Sequence, residues 1–527
     1  MAIVDQLPPD QRLKREFSLW SAFAFAFAFI SPIVALYGIF GLAITTAGPS
    51  FWWSFLIVFA GQLLVALVFA ELASRWPVEG SIYQWSRRLV SSGYGWLAGW
   101  TYLWTLIIAM ATVAIGAAGF MANILGIDAP TDAQKVVIAL VILVLGTVAN
   151  LVGRTVLKVL MTASIAAEIV GSLGLGTWLL LFHREQPLSV LVAGGHGLAG
   201  DPSYLALSGP FLVAMAFVGW SFVGFESAGA IAEEVKNPRR HVPKAIIFSL
   251  SFIAVIVMYA SVAIILAIPD LGAVLAGKQA DPVYATLVTQ LGAGLAKPIE
   301  VLFVIGFLAS FLALQNSASR VIWSYARDHA LPGSGVLSRL SHVQKQPVAA
   351  LLVTAVVGAA LFALSLVATN VYSVMVFFTS GGFYASFLFP LVGALYARYV
   401  AHTWSPGPWT LGRAGRAVGV VAAVWAGAQF LNIAWPRPVN TSRWLDWAFW
   451  IMVSVLGAVG VAIYASVRRR MTLAPVEVDE PDGPVLRGAT DVPAGAVGGA
   501  ALGGSAAAGV ATVGGPALRG VEEEPIT

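Results

Sequence analysis

The chain contains no cysteine. That excludes disulfides, thiolate catalysis and Cys-based metal sites. Charge is scarce as well: Asp, Glu, Lys and Arg make up 11% of the 527 residues, against 58% hydrophobic, whereas soluble domains carry about 25% charged residues. The histidines are few, and His183, His196 and His241 stand alone, without metal-ligand spacing. The net charge of +4 comes from basic residues set between apolar segments, so no nucleic-acid partner is expected. With no nucleophile–base pair and no metal motif, neither an enzyme nor a cofactor is expected. Arg12, Lys14 and Arg15 precede an apolar run too long for a signal-peptide core, so no cleavable signal is expected either.

What the chain has in abundance is apolar runs of about 20 residues, the length that crosses a bilayer. Twelve spans are predicted: 18–46, 51–74, 95–125, 133–152, 157–182, 207–235, 243–268, 295–325, 347–368, 371–399, 415–435 and 444–467. In the first, Phe23, Phe25, Phe27 and Phe29 alternate with alanine, a strand period. A lone strand cannot satisfy its backbone in lipid, so helix is predicted. Basic residues concentrate in alternate connections, among them Arg87, Arg88, Lys236, Arg239, Arg240, Arg327 and Arg468. The positive-inside rule then puts both termini in the cytoplasm of a multi-pass cell-membrane protein. Residues 1–17 read as a cytoplasmic lead and 18–470 as the membrane domain. Residues 471–527, first acidic and then Gly/Ala-rich, read as a disordered cytoplasmic tail.

The rest of the chain is organised around Phe217 to Pro243. This stretch begins as a membrane helix, meets Gly219 and Gly224 with Trp220 between, and places Glu226 immediately after. A charge at the bilayer centre costs ~2.5–3.5 kcal/mol on insertion scales, so it must be sheltered, neutralised or used. A Gly- or Pro-interrupted apolar segment is the usual sequence pointer to a transporter's binding site. Span one has its own interruption, Ile30-Ser-Pro-Ile-Val-Ala-Leu-Tyr-Gly-Ile-Phe-Gly41, where Pro32 lacks a donor. Five spans separate the two interruptions, as in a five-plus-five inverted repeat: about 18–182, then 207–399, with 415–467 added. One such kink is ordinary in membrane helices; two at matching places predict a site. Free N–H groups at the breaks suit a carboxylate. Trp220 suits an apolar or cationic group.

Four stretches carry a family resemblance: Gly48-Pro49 with Ala70 to Trp85; Asn150 to Arg154; Gly224 to Pro243; and Ala318 to Pro332. On these the chain resembles the amino acid–polyamine–organocation (APC) superfamily, and most closely its amino acid/choline transporter branch. The resemblance runs from about Phe17 to Arg470. It implies an all-α membrane protein with the leucine-transporter fold of twelve helices, the first and sixth discontinuous. It also implies that the backbone at Ser31, Pro32, Ile33, Val34 and Ala35 binds the substrate's carboxylate and amino group; where the family often has Gly-Ser/Thr-Gly, this chain has Ile33-Val34-Ala35. Trp220, Val223 and Gly224 inherit substrate contact, and Glu226 a role in pH-dependent transport. Ala109, Met110 and Ala114 fall near the pocket in relatives, and Ser310 is placed to face the breaks.

Glu168, mid-span in span five, is a candidate proton carrier, cation ligand or polar helix contact. Gln315, Asn316 and Ser317 either line the inner path or bond between helices. Glu71 with Arg75, and Arg320, Arg327 and Asp328, are expected to make structural contacts, and Pro243 to start a helix. Asn440-Thr-Ser matches a glycosylation triplet.

The expected function is secondary active transport of an amino acid or a small amine such as GABA, by alternating access. Protons are the expected coupling ion, through Glu168 and Glu226; sodium is the alternative. A permease for choline, another quaternary amine or a polyamine, or a non-transporting amino acid sensor, are the competing functions.

Overall fold

A computed structural model of the protein describes residues 17–127, 130–193, 203–279, 281–341, 345–365, 371–436 and 446–471. Most of the expected tail, the lead before Phe17, Asn440 and His196 lie outside these.

Among the described residues the fold is helical. Eleven helices are long and apolar enough to cross a membrane, and a shorter apolar helix supplies the ninth span. The spans are Leu19–Ala47 (one, in three pieces), Trp52–Arg75 (two), Ser92–Ile124 (three), Asp132–Val152 (four) and Arg154–Phe182 (five). After the interrupted sixth, Pro210–Ala230, come Pro238–Ala267 (seven), Ala293–Arg327 (eight), Val348–Ser365 (nine), Val371–Tyr399 (ten), Gly415–Ala434 (eleven) and Ala448–Val467 (twelve). The Phe/Ala alternation of span one is helical, Leu19–Ile30, with Ser18 capping it through a bond from the Ser21 N–H.

Span six is the most enclosed: 94% of its apolar window is buried, against 11% for span twelve. The interrupted helices are thus central and the last span is peripheral. Span eight lies along span three, span seven along span two, and span ten against spans three and eleven. Aromatic edges fill the centre, as where Phe69 meets Phe387, their ring centroids 5.2 Å apart.

Three local features differ from the sequence expectation. Span seven starts at Pro238, with Asn237 before it in a left-handed conformation, and Pro243 lies inside the helix. A first-turn proline costs no backbone bond; two prolines five residues apart both satisfy that signal locally, and the left-handed turn at Asn237 selects the earlier. The connection between spans two and three folds into a helix, Ser81–Leu89, whose side chains are mostly buried. The connection between spans seven and eight carries two more, Leu271–Leu275 and Pro282–Leu291, capped by Asp270 and Asp281.

Candidate functional site

In span one the helix ends at Ile30, Ser31 takes φ 52°, and a new helix starts at Pro32 and runs to Tyr37. A second irregularity at Gly38–Ile39 leads into Phe40–Ala47. In span six, Pro210–Val218 tightens into a 3₁₀ turn at Gly219–Phe222. It extends at Val223, reverses at Gly224 (φ 103°) and resumes helix at Ser227. Gly224 is required twice over. Its φ is in the region glycine adopts freely, and a Cβ there would sit 2.3 Å from the Phe29 ring of span one.

A break frees backbone N–H groups, and each must find a partner. At both breaks that partner is a buried glutamate. Glu168 accepts from the Ser31 hydroxyl through Oε1 and from the Ile33 N–H through Oε2, the latter at 2.9 Å. Glu226 accepts from the Tyr102 hydroxyl of span three through Oε1 and from the Gly224 N–H through Oε2, both at 3.0 Å. Each carboxylate thus takes one hydroxyl and one break N–H. The remaining donors at the first break are internal: Val34 N–H bonds the Ser31 Oγ at 3.3 Å, and Ala35 N–H the Ser31 carbonyl at 2.8 Å. The N–H groups expected to be free at Ile33, Val34 and Ala35 are therefore occupied by the chain itself.

Span five is built to deliver Glu168. Its α-helix runs to that residue and widens into a π turn at Ile169–Gly174, a feature often found at functional sites. The widened turn offers the Gly171 carbonyl to the Tyr37 hydroxyl at 2.9 Å. Span eight makes room at Gly306, where a Cβ would stand 3.1 Å from both the Glu168 Oε1 and the Ile33 Cβ.

Between the two breaks lies a small cavity. Of the residues expected at the site, Val34, Ala109, Trp220, Val223 and Ser310 line it. Ser310 does not bond its own helix: its hydroxyl donates to the Phe29 carbonyl of span one at 2.7 Å. The others are placed elsewhere. Ser31, Ile33, Glu168 and Glu226 form the polar back of the breaks. Met110 faces span nine, where its Cε would meet a Cβ added at Gly358. The sequence reading missed Phe29, Ile30, Val113, Leu314, Thr379 and Phe383 as lining. The Thr379 and Thr112 hydroxyls lie 3.3 Å apart, and Phe29 and Phe383 meet edge to face at 6.4 Å. The signal for Phe29 and Ile30 was adjacency to the break; nothing local marked Thr379 and Phe383 of span ten. Apart from Ser310, Thr379, the Trp220 indole N–H and backbone, the lining groups are apolar, and none of the lining side chains is charged.

Two of the weighed groups resolve as structural contacts. Gln315 bonds Asn150 and Thr147 of span four. Glu71 accepts from Arg398 of span ten and from the Thr410 hydroxyl at 2.8 Å. Asn316 and Ser317 are buried with side-chain polar atoms that make no hydrogen bond.

A helical membrane protein with two central helices broken at matching places around a small cavity has the build of a membrane transporter. The amino acid permease family model matches residues 17–459, and the chain belongs to that family, within the APC superfamily; its coarse function is amino acid transport. It is similar to a Schizosaccharomyces pombe amino-acid permease (25% identical, 84% of this chain and 83% of the relative). It is also similar to the branched-chain amino acid permease BcaP of Bacillus subtilis (28% identical; 64% and 72%). A third relative is the amino-acid permease BAT1 homolog of Oryza sativa subsp. japonica (23% identical; 82% and 87%).

Proposed function

We propose that the protein is a proton-coupled transporter of a neutral α-amino acid with an aliphatic side chain, working by alternating access. The observation that carries this is the cavity between the two breaks, whose wall is apolar and uncharged. A charged side chain would find no partner there. GABA, with no side chain to bury, would leave the apolar wall unused. The branched-chain permease name carried by the Bacillus subtilis relative agrees with this substrate class.

The coupling follows from Glu168. A substrate carboxylate and the Glu168 carboxylate compete for the Ser31 hydroxyl and the Ile33 N–H. Two anions cannot share those donors in a buried site. Protonating Glu168 weakens it as an acceptor and removes the repulsion, so proton and substrate bind together. Glu226 plays the matching part at the second break. The face where span one begins is cytoplasmic in this proposal, the membrane is the cell membrane, residues 18–470 are the transport unit and 471–527 its tail.

The aromatic trio Phe29, Trp220 and Phe383 around the cavity supports a second substrate class, a quaternary amine held by ring faces. A thermal-shift screen of purified protein against aliphatic amino acids, GABA, choline and polyamines separates the two. A ligand that binds only the folded protein stabilises it by ~2.7 kcal/mol at 100 Kd and so raises the melting temperature. Stabilisation by leucine, isoleucine or valine, lost in Trp220→Ala, is the expected result. Stabilisation by choline alone overturns the amino acid assignment.

A further inference from the structure

The end of the bundle where span one begins is closed by a cluster of charged side chains from three elements. The turn before Ser81–Leu89 brings Glu79, the end of span six brings Glu233 and Glu234, and span eight brings Arg320 and Arg327. The residue leading into span one is stitched on by backbone: Phe17 N–H donates to the Glu234 carbonyl at 2.9 Å, and Lys236 N–H to the Phe17 carbonyl at 2.8 Å. This closure lies one turn of span eight beyond Ser317. Ser317 shares a helical face with Ser310 and Leu314 of the cavity, at spacings of seven and three. Parting the closure would open the way to the cavity from this face.

Within the cluster the cations are already committed. Arg320 directs both Nε and Nη2 at Glu234 Oε1, each at 2.8 Å. Arg327 directs Nη1 at both oxygens of Glu233, at 3.1 and 3.2 Å. Beside them Arg87 and Asp328 pair with each other, with the Tyr83 hydroxyl on Asp328 at 2.8 Å. Glu79 is left over. Its backbone is well held: the N–H donates to Glu233 Oε1 at 3.0 Å, and the carbonyl accepts from the Ser324 hydroxyl at 3.1 Å. Its side chain is fully buried, yet neither carboxyl oxygen makes a hydrogen bond. The nearest guanidinium atom, Arg320 Nε, is 3.8 Å away and turned to Glu234, and Arg320 Nη1 makes no hydrogen bond either.

We propose that Glu79 is a proton-binding switch for this closure: it carries a proton while spans six and eight and the two–three connection are drawn together, and releases it to water when they part. A buried carboxylate without donors is costly, whereas the neutral acid is tolerated. Burial, with Glu234 and Glu233 adding repulsion, pushes the Glu79 carboxyl well above the usual carboxylate range, against the pull of Arg320 and Arg327. In the open form water reaches the group and it returns towards an ordinary value near ~4.3. The sign follows. Between the open-state and closed-state values the closed form binds the extra proton, so rising pH favours opening, and the closed-to-open ratio falls about tenfold per pH unit. Low pH on this face keeps the closure shut. This switch is separate from Glu168 and Glu226 and goes beyond the transport proposal.

The absence of native cysteine makes a clean reporter available. Ser317→Cys is near-isosteric and lies behind the closure. The full-length protein in detergent would be labelled with a small charged thiol reagent from pH 5 to 9, each rate divided by that of the same thiol in the unfolded chain. The expected result is a corrected rate that climbs with pH in the Ser317→Cys protein and is flat when Glu79→Gln is added. Glu79→Asp, which keeps a titrating group, restores a slope. Melting temperatures provide the second measurement: wild-type stability should fall with rising pH more steeply than that of Glu79→Gln. A pH profile left unchanged by Glu79→Gln, both by labelling in the Ser317→Cys background and by melting, overturns the proposal. So does a slope in the Ser317→Cys protein that disappears on adding sodium or potassium, which would make the occupant a metal cation. Neither readout uses a substrate, so failure here leaves the transport proposal standing, and the reverse also holds.

Discussion

Glu168 and Glu226 do the same work at two places: each fills backbone donors that a break exposes, and each adds a hydroxyl from a residue elsewhere in the chain or at the break itself. Glutamine keeps the shape but puts an amide donor where another donor already points. Glu226→Gln should therefore destabilise the fold by ~1–3 kcal/mol, seen as a lower melting temperature, whereas Tyr102→Phe removes one donor and leaves no donor–donor conflict. Glu168→Gln carries the coupling test: uptake into proteoliposomes should lose its dependence on a proton gradient while substrate exchange continues. Gradient-driven uptake at the wild-type level would remove Glu168 from the coupling. Gly224→Ala would press a Cβ into the Phe29 ring and demand a strained φ. Overpacking of this kind costs ~1–3 kcal/mol, so the melting temperature should drop and ligand-induced stabilisation should disappear. That glycine and both glutamates were visible as singular residues in the sequence. Their bonding was not: Ser31 and Glu168 are 137 positions apart, and no local pattern says that one will cap the other.

At the scale of elements, spans two and ten are tied by Glu71 and Arg398, both buried, with the chain at Thr410–Leu411 closing over the pair. Arg398→Met strands Glu71 away from water. Breaking one side of such a pair costs ~3–5 kcal/mol, while replacing both partners by apolar residues is often nearly neutral. Chemical denaturation of Arg398→Met and of Arg398→Met/Glu71→Leu should show the double variant recovering much of the single variant's loss. Equal loss in both would assign the damage to packing. Span eleven docks on span two where Gly61 faces Trp425, and a Cβ there would fall 2.0 Å from the indole. Helix-on-helix approach through small residues is the usual membrane solution. The spans and their breaks were legible because apolar length and the chemistry of glycine and proline act within a few residues. The Ser81–Leu89 helix was not. It has no long apolar run, and Arg87 is buried only because Asp328 meets it from 241 positions away.

For the whole molecule, composition alone pointed to a protein of many membrane-spanning helices, and the match across residues 17–459 places the chain among amino acid permeases. Deleting the expected tail, residues 471–527, should leave melting temperature and uptake unchanged; loss of uptake in a folded truncation would give it a working role. By itself the sequence determined the spans, the positions of both breaks and the presence of a carboxylate within each of spans five and six, since each follows from local backbone chemistry and from the cost of charge in lipid. Only the tertiary structure decided who answers those demands. It turned Glu168 onto the first break and drew Thr379 and Phe383 of span ten into the cavity wall. It also left Glu79 without a hydrogen-bond donor among guanidiniums committed elsewhere. The reason is one of range: a residue's own neighbours decide which bonds it lacks, but the partner that supplies them comes from wherever the packing of helices brings the chain back.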